Sequence, residues 1–203
     1  ANGTISPATR SVAHGATTTF TVTPTTGYSA SVTGCGGSLS GATYTTGAIT
    51  AVCAVTASFT QNNYTVTATA GANGTISPAT RSVAHGATTT FTVTPNNGYS
   101  ASVSGCGGTL SGTTYTTGAI TAACAVTASF SQTSYTVTAT AGANGTISPA
   151  TRSVAHGATT TFTVTPATGY SASVTGCGGT LSGTTYTTGA ITEIGRASCR
   201  ERV

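Results

Sequence analysis

Six cysteines and three histidines are the side chains best suited to chemistry in this 203-residue chain. Cys35 and Cys53 lie 18 residues apart, and Cys106 and Cys124 repeat that spacing. Paired cysteines in a small, loop-rich β unit read as a disulfide; two buried free thiols are the other reading. A closed loop of that size stabilises by about 3 kcal/mol in the chain-entropy model, and export is the natural setting for it. Zinc would need more ligands than two cysteines and a turn histidine. Cys177 has no partner at the matching position, which is Gly195, and Cys199 stands off that position. No bridge is expected at Cys177.

His14, His85 and His156 each precede a glycine, and no Asp, Glu or second His lies near in sequence to orient them. They read as turn residues rather than as metal ligands or pH sensors. Arg10, Arg81 and Arg152 read as solvated charges at strand ends. Tyr44, Tyr115 and Tyr186 sit in the repeated Thr-Tyr-Thr-Thr-Gly and are the aromatics best placed to stack on a sugar. Tyr28, Tyr64 and Tyr99 suit core edges, with the ring packed and the hydroxyl wet. Asn2-Gly3-Thr4 and Asn63-Tyr64-Thr65 match an N-glycosylation acceptor, although an Asn-Gly turn explains the first equally well.

What is missing narrows the chemistry. Glu193 and Glu201 are the only acidic residues, and residues 1–192 hold no Lys, Asp or Glu. That stretch has no carboxylate pair for glycoside hydrolysis, no carboxylates to cage calcium and no Schiff-base lysine. An isopeptide cross-link is excluded there for the same reason. No catalytic, cofactor-binding or metal-ligating residues are expected, and the chain is not expected to be an enzyme. The net charge of +4 misleads, because Arg196, Arg200 and Arg202 lie near the C-terminal end. One arginine per copy is not a nucleic-acid footprint, and no apolar run reaches the roughly 18 residues of a membrane span.

The elements that must carry these residues recur with a period of 71, seen in the histidines and again in the arginines. Fixed-period self-similarity marks a tandem array of small domains. The boundaries read as 1–63 for a first repeat lacking its first strand, 64–134 for a complete second repeat, and 135–192 for a third lacking most of its last strand. In the second repeat Tyr64, Val66 and Ala68 alternate with threonines, as do Phe91 and Val93. Ile120 to Phe130 holds one parity through Cys124 and Val126. Period-2 alternation rich in Thr, Val, Tyr and Phe predicts strands and no helix. The Asn73-Gly74 pair predicts a hairpin turn. The fold class is all-β, with six or seven short strands per unit and four-residue linkers at 60–63 and 131–134 that limit swinging of neighbours.

The motifs Tyr64-Thr-Val-Thr, Asn73-Gly-Thr-Ile-Ser-Pro78, His85-Gly-Ala-Thr, Phe91-Thr-Val-Thr-Pro95 and Gly98-Tyr99 form one series. With Gly105-Cys-Gly-Gly and Cys124-Ala-Val-Thr-Ala-Ser-Phe130, they resemble the divergent internalin B-repeat-like bacterial repeat domain over residues 1–192. One departure is the lack of tryptophan after the Gly-Tyr strand, where Ser102-Val-Ser-Gly105 stands. The resemblance implies compact β modules strung together in secreted or cell-surface bacterial proteins, a spacer or adhesive stalk, and no catalytic residues.

Residues 193–203 leave the repeat in mid-strand. Back-translated, they resemble a widely used sequencing adapter, so the tail reads as a non-native assembly artefact, most simply from metagenomic sequence. It is not expected to complete the third repeat. The expected function is a non-catalytic extracellular spacer, adhesin-like, whose partners are the neighbouring repeats. Two other classes stay open. One is a carbohydrate- or surface-binding module acting by avidity through Tyr44, Tyr115 and Tyr186. The other is a fibre subunit that assembles by strand complementation.

Overall fold

A computed structural model describes residues 2–193 and the strand backbone at 198–202. The chain packs as two compact units, one of residues 1–69, 76–92 and 103–127, the other of 70–75, 93–102 and 128–203. Among the described residues there is no helix, and the fold is all-β as expected.

The first repeat contributes β1 (Gly3–Ser6), β2 (Thr19–Pro24), β3 (Tyr28–Thr33), β4 (Ser38–Ser40), β5 (Thr43–Thr45) and β6 (Thr56–Gln61). The second contributes β7 (Asn63–Ala70), β8 (Gly74–Ser77), β9 (Thr80–Ala84), β10 (Thr90–Pro95), β11 (Tyr99–Ser104), β12 (Thr109–Ser111), β13 (Thr114–Thr116) and β14 (Cys124–Gln132). That is eight strands where six or seven were expected. The third contributes β15 (Ser134–Thr140), β16 (Gly145–Ser148), β17 (Thr151–Ala155), β18 (Thr161–Pro166), β19 (Ser173–Gly176), β20 (Thr180–Ser182), β21 (Thr185–Thr187) and β22 (Ser198–Arg202).

Each repeat builds one sheet in the order seen for β1-β2-β5-β4, repeated as β8-β10-β13-β12 and β16-β18-β21-β20. A second sheet runs β11-β14-β7-β9 and β19-β22-β15-β17, but in the first repeat it is only β3-β6. In the third repeat the two sheets close over one core. Val137 and Ala139 of β15 and Val154 of β17 meet Phe162 and Val164 of β18 and Tyr186 of β21. Alternation explains this directly: apolar residues of one parity face inward while threonines of the other face water.

Three expectations about this layout are corrected. Asn73-Gly74 does not close a hairpin, because β7 pairs with β9 and β8 stands in the other sheet. The turn carries the chain between sheets, with Asn73 at φ 72°. The last strand begins at Cys124 rather than Ile120. Ile120 is a buried loop plug whose N–H donates to the Ala87 carbonyl at 2.8 Å. The tail, finally, does return to the fold: β22 pairs parallel with β15 at Thr138↔Ser198 and antiparallel with β19 at Val174↔Glu201. It takes the sheet position that β14 holds in the second repeat, because a strand of any origin can satisfy the facing backbone groups of β15 and β19. Residues 194–197 and 203 lie outside the described residues.

The first repeat shows what a missing neighbour does. Thr9-Arg10-Ser11-Val12-Ala13 is identical to Thr80–Ala84 and Thr151–Ala155, which are strands β9 and β17. It is not a strand itself. β9 and β17 pair with β7 and β15, and among the described residues no such strand stands beside 9–13. Local propensity is equal in all three copies, so pairing decides.

Candidate functional site

The cysteine pairs form as their spacing suggested. Cys35–Cys53 and Cys106–Cys124 are disulfides with Cα–Cα distances of 5.5 Å and 5.7 Å. Each first cysteine sits in a Gly-Cys-Gly-Gly loop at positive φ, 47° for Cys35 and 48° for Cys106. Gly105 at φ 113° precedes it, and a Cβ there would collide with the Ala125 carbonyl, so only glycine fits. Cys177 is also disulfide-bonded, which corrects the expectation that it has no bridge. The return of the tail to the sheet puts Cys199 opposite Gly176 in backbone register.

The tyrosines proposed for sugar contact are not on the surface. Tyr44 and Tyr115 are 0% exposed and Tyr186 is 1% exposed. Each hydroxyl donates to a carbonyl in the cysteine loop: Tyr44 to Gly34, Tyr115 to Gly105 and Tyr186 to Gly176. In register, Tyr115 stands opposite Phe91 and Leu110. These rings fill the core and hold the loop from beneath, so none has a face to offer a ligand. The neighbouring threonines act with them. Thr46, Thr117 and Thr188 are buried and accept the N–H of Thr18, Thr89 and Thr160 at 3.0, 3.0 and 2.9 Å. The sequence reading missed these threonines, although their place after each recurring tyrosine marks them.

The arginines sit at the surface. The Arg81 guanidinium Nε donates to the Thr90 carbonyl at 3.1 Å on an exposed part of the sheet.

The histidines are more than turn residues. Between β6 and β7 only Asn62 lies outside a strand, so the expected four-residue linker is a single residue. The Asn62 N–H donates to the Gly27 carbonyl at 2.8 Å, and its carbonyl accepts the His85 N–H at 2.8 Å. Gln61 Nε2 donates to the His85 carbonyl at 3.1 Å. The His85 ring covers Gly27, where a Cβ would strike it, and lies tilted against Tyr64 with centroids 6.0 Å apart. Glycine at Gly27 therefore permits the contact by lacking a side chain, at φ 83°.

The same construction stands at the next junction. Only Thr133 separates β14 from β15; its N–H donates to the Gly98 carbonyl and its carbonyl accepts the His156 N–H, both at 2.8 Å. Gln132 Nε2 donates to the His156 carbonyl at 3.2 Å, and the His156 ring covers Gly98 and tilts against Tyr135 at 6.2 Å. His14 has no repeat before it among the described residues and is exposed, whereas His85 and His156 are half-buried. The recurring site of this chain is the joint between repeats.

The fold and this joint define the class: a tandem array of small, disulfide-bonded β-sandwich repeats. Residues 64–134 and 135–190 match the divergent InlB B-repeat domain, and together they span more than half of the chain. The chain belongs to that family, a repeat family of bacterial surface proteins. No curated protein and no solved structure matches the chain.

Proposed function

We propose that the chain is a non-catalytic spacer, part of an adhesin-like stalk on a secreted or cell-surface bacterial protein. The observation that carries this reading is the joint. Two successive junctions reuse one linker residue, the same three hydrogen bonds and the same His-on-Gly contact. Backbone bonds on both sides of a one-residue linker leave few torsions free, so a neighbour is held at a set angle rather than tethered. In repeat arrays such nearest-neighbour terms add, and length then scales with copy number.

Other features agree. Disulfides in small domains suit an oxidising, extracellular setting. Residues 1–192 carry no carboxylate or lysine for acid–base or covalent chemistry. Avidity binding to glycans through Tyr44, Tyr115 and Tyr186 loses its contact residues, since all three are buried. A narrow spin-label distance between adjacent repeats tests the spacer reading, and a broad distribution contradicts it.

A further inference from the structure

We propose that the Cys106–Cys124 disulfide is a redox switch for the joint on the N-terminal side of its own repeat, acting through the loop that carries Ile120. The inference rests on the reading of that joint as a fixed coupling. Between Thr117 and Cys124 the chain leaves the sheets, and Ile120 is the one buried residue of that stretch. Its backbone bonds go to the turn that follows His85. The Gly86 N–H donates to the Ile120 carbonyl at 2.7 Å, and the Ile120 N–H donates to the Ala87 carbonyl at 2.8 Å. The turn supplies one such bond of its own, from the Ala87 N–H to the Ala84 carbonyl at 3.0 Å. His85 stands next to this clamp, and its N–H, carbonyl and ring are the parts that meet Asn62, Gln61 and Gly27.

Cys106 holds the loop at both ends. Its carbonyl accepts the Gly118 N–H at 3.0 Å, and its sulfur is bonded to Cys124. Apart from Ile120, residues 119–123 make no backbone–backbone hydrogen bond among the described residues, so the sulfur bond is what closes the far side. The first repeat separates this closure from core packing. Ile49 there is only half-buried, where Ile120 is 2% exposed. The Gly15 N–H still donates to the Ile49 carbonyl at 2.8 Å and the Ile49 N–H to the Ala16 carbonyl at 2.9 Å, with Cys35–Cys53 closing the loop. The clamp therefore accompanies the disulfide rather than the depth of the isoleucine. It recurs in the third repeat, where Ile191 bonds to Gly157 and Ala158 at 2.8 and 3.0 Å beside the disulfide-bonded Cys177.

Cys106 and Cys124 are both half-buried, within reach of a small dithiol. One thiolate of the dithiol attacks a protein sulfur to form a mixed disulfide, and its second thiolate then displaces that bond. The protein gains two electrons and two protons as two thiols, and the dithiol leaves as a disulfide. The loop is then tied at Gly118 alone, and the clamp on the His85 turn loosens. The sheet beneath keeps its own bonds, since the Thr117 N–H donates to the Thr89 carbonyl at 2.9 Å and its hydroxyl accepts the Thr89 N–H at 3.0 Å. A local redox change thereby biases an element with two arrangements, joint held and joint loose.

The test uses the full chain with Cys106→Ala and Cys124→Ala together, spin-labelled at Ser40 and Ser111. The narrow distance of the unaltered chain should be lost to a broad distribution, with amide resonances of Asn62 and His85 displaced. Those of Phe91 and Tyr115 in the core, and of Thr133 and His156 at the next joint, should stay in place. Ile120→Ala should broaden the distance with the disulfide intact, and combining it with the cysteine replacements should add less than the sum. An equally narrow distance without the disulfide would overturn the switch and leave the spacer reading standing. A broad distance in the unaltered chain would overturn both. Fully additive effects would overturn the route through Ile120. Loss of the core resonances in either variant would also overturn the switch, because the disulfide or the loop would then be holding up the whole repeat.

Discussion

Replacing Tyr115 with phenylalanine removes a hydroxyl that donates to the Gly105 carbonyl and leaves the ring in a fully buried site. The loss is about 1 kcal/mol if the carbonyl finds another donor and up to about 3 kcal/mol if it is left buried and unpaired. At about 1.4 kcal/mol per factor of ten, that is roughly a fivefold to 150-fold rise in local opening. Alanine at the same place also deletes the ring, at about 3–5 kcal/mol, which approaches the whole stability of a small domain. Amide exchange read by mass spectrometry measures both, with residues 109–117 as the probe and 180–188 in the third repeat as the internal control. Exchange should quicken in the second repeat alone, more for Tyr115→Ala than for Tyr115→Phe. Unchanged protection in Tyr115→Ala, with loss of binding to a glycan, would refute the core role and restore Tyr115 as a contact residue.

Two further outcomes follow from the packing. Joint replacement of Cys106 and Cys124 by alanine should lower the stability of the second repeat by about 3 kcal/mol; urea unfolding followed by repeat-resolved exchange checks it. Phe91→Ala should cost about 3–5 kcal/mol, whereas Phe20→Ala, in the same local sequence but half-buried, should cost markedly less. Equal losses at the two sites would contradict the open state of the first repeat.

Alternation made much of the fold legible. Val66, Phe91, Val93 and Val126 lie on the inward faces their parity assigned, and all are buried. Pairing was not legible, because an Asn-Gly turn has the same local chemistry whether it closes a hairpin or passes between sheets. The five residues Thr-Arg-Ser-Val-Ala make the point within one chain, as strand in the second and third copies and irregular in the first. Tyr44 and its copies lie in three-residue strands, too short for periodicity to separate an inward ring from an outward one. The histidines stand in turns, as their Gly neighbours imply, but their contacts across the joint were not legible for a different reason. The partners of His85 are Gly27, Gln61 and Asn62 of the preceding repeat, so its role exists only once two repeats are joined.

A distance between neighbouring repeats bears most directly on the spacer role. Ser40 and Ser111 are exposed, equivalent positions at the tips of the β4–β5 and β12–β13 hairpins. Genetically encoded spin labels at these two sites leave the disulfides intact for double electron–electron resonance. One narrow distance is predicted in the unaltered chain, widening when Gly27→Val drives the His85 ring from its seat. A broad distribution in the unaltered chain would mean that the junction is a tether, and the spacer would have no fixed reach.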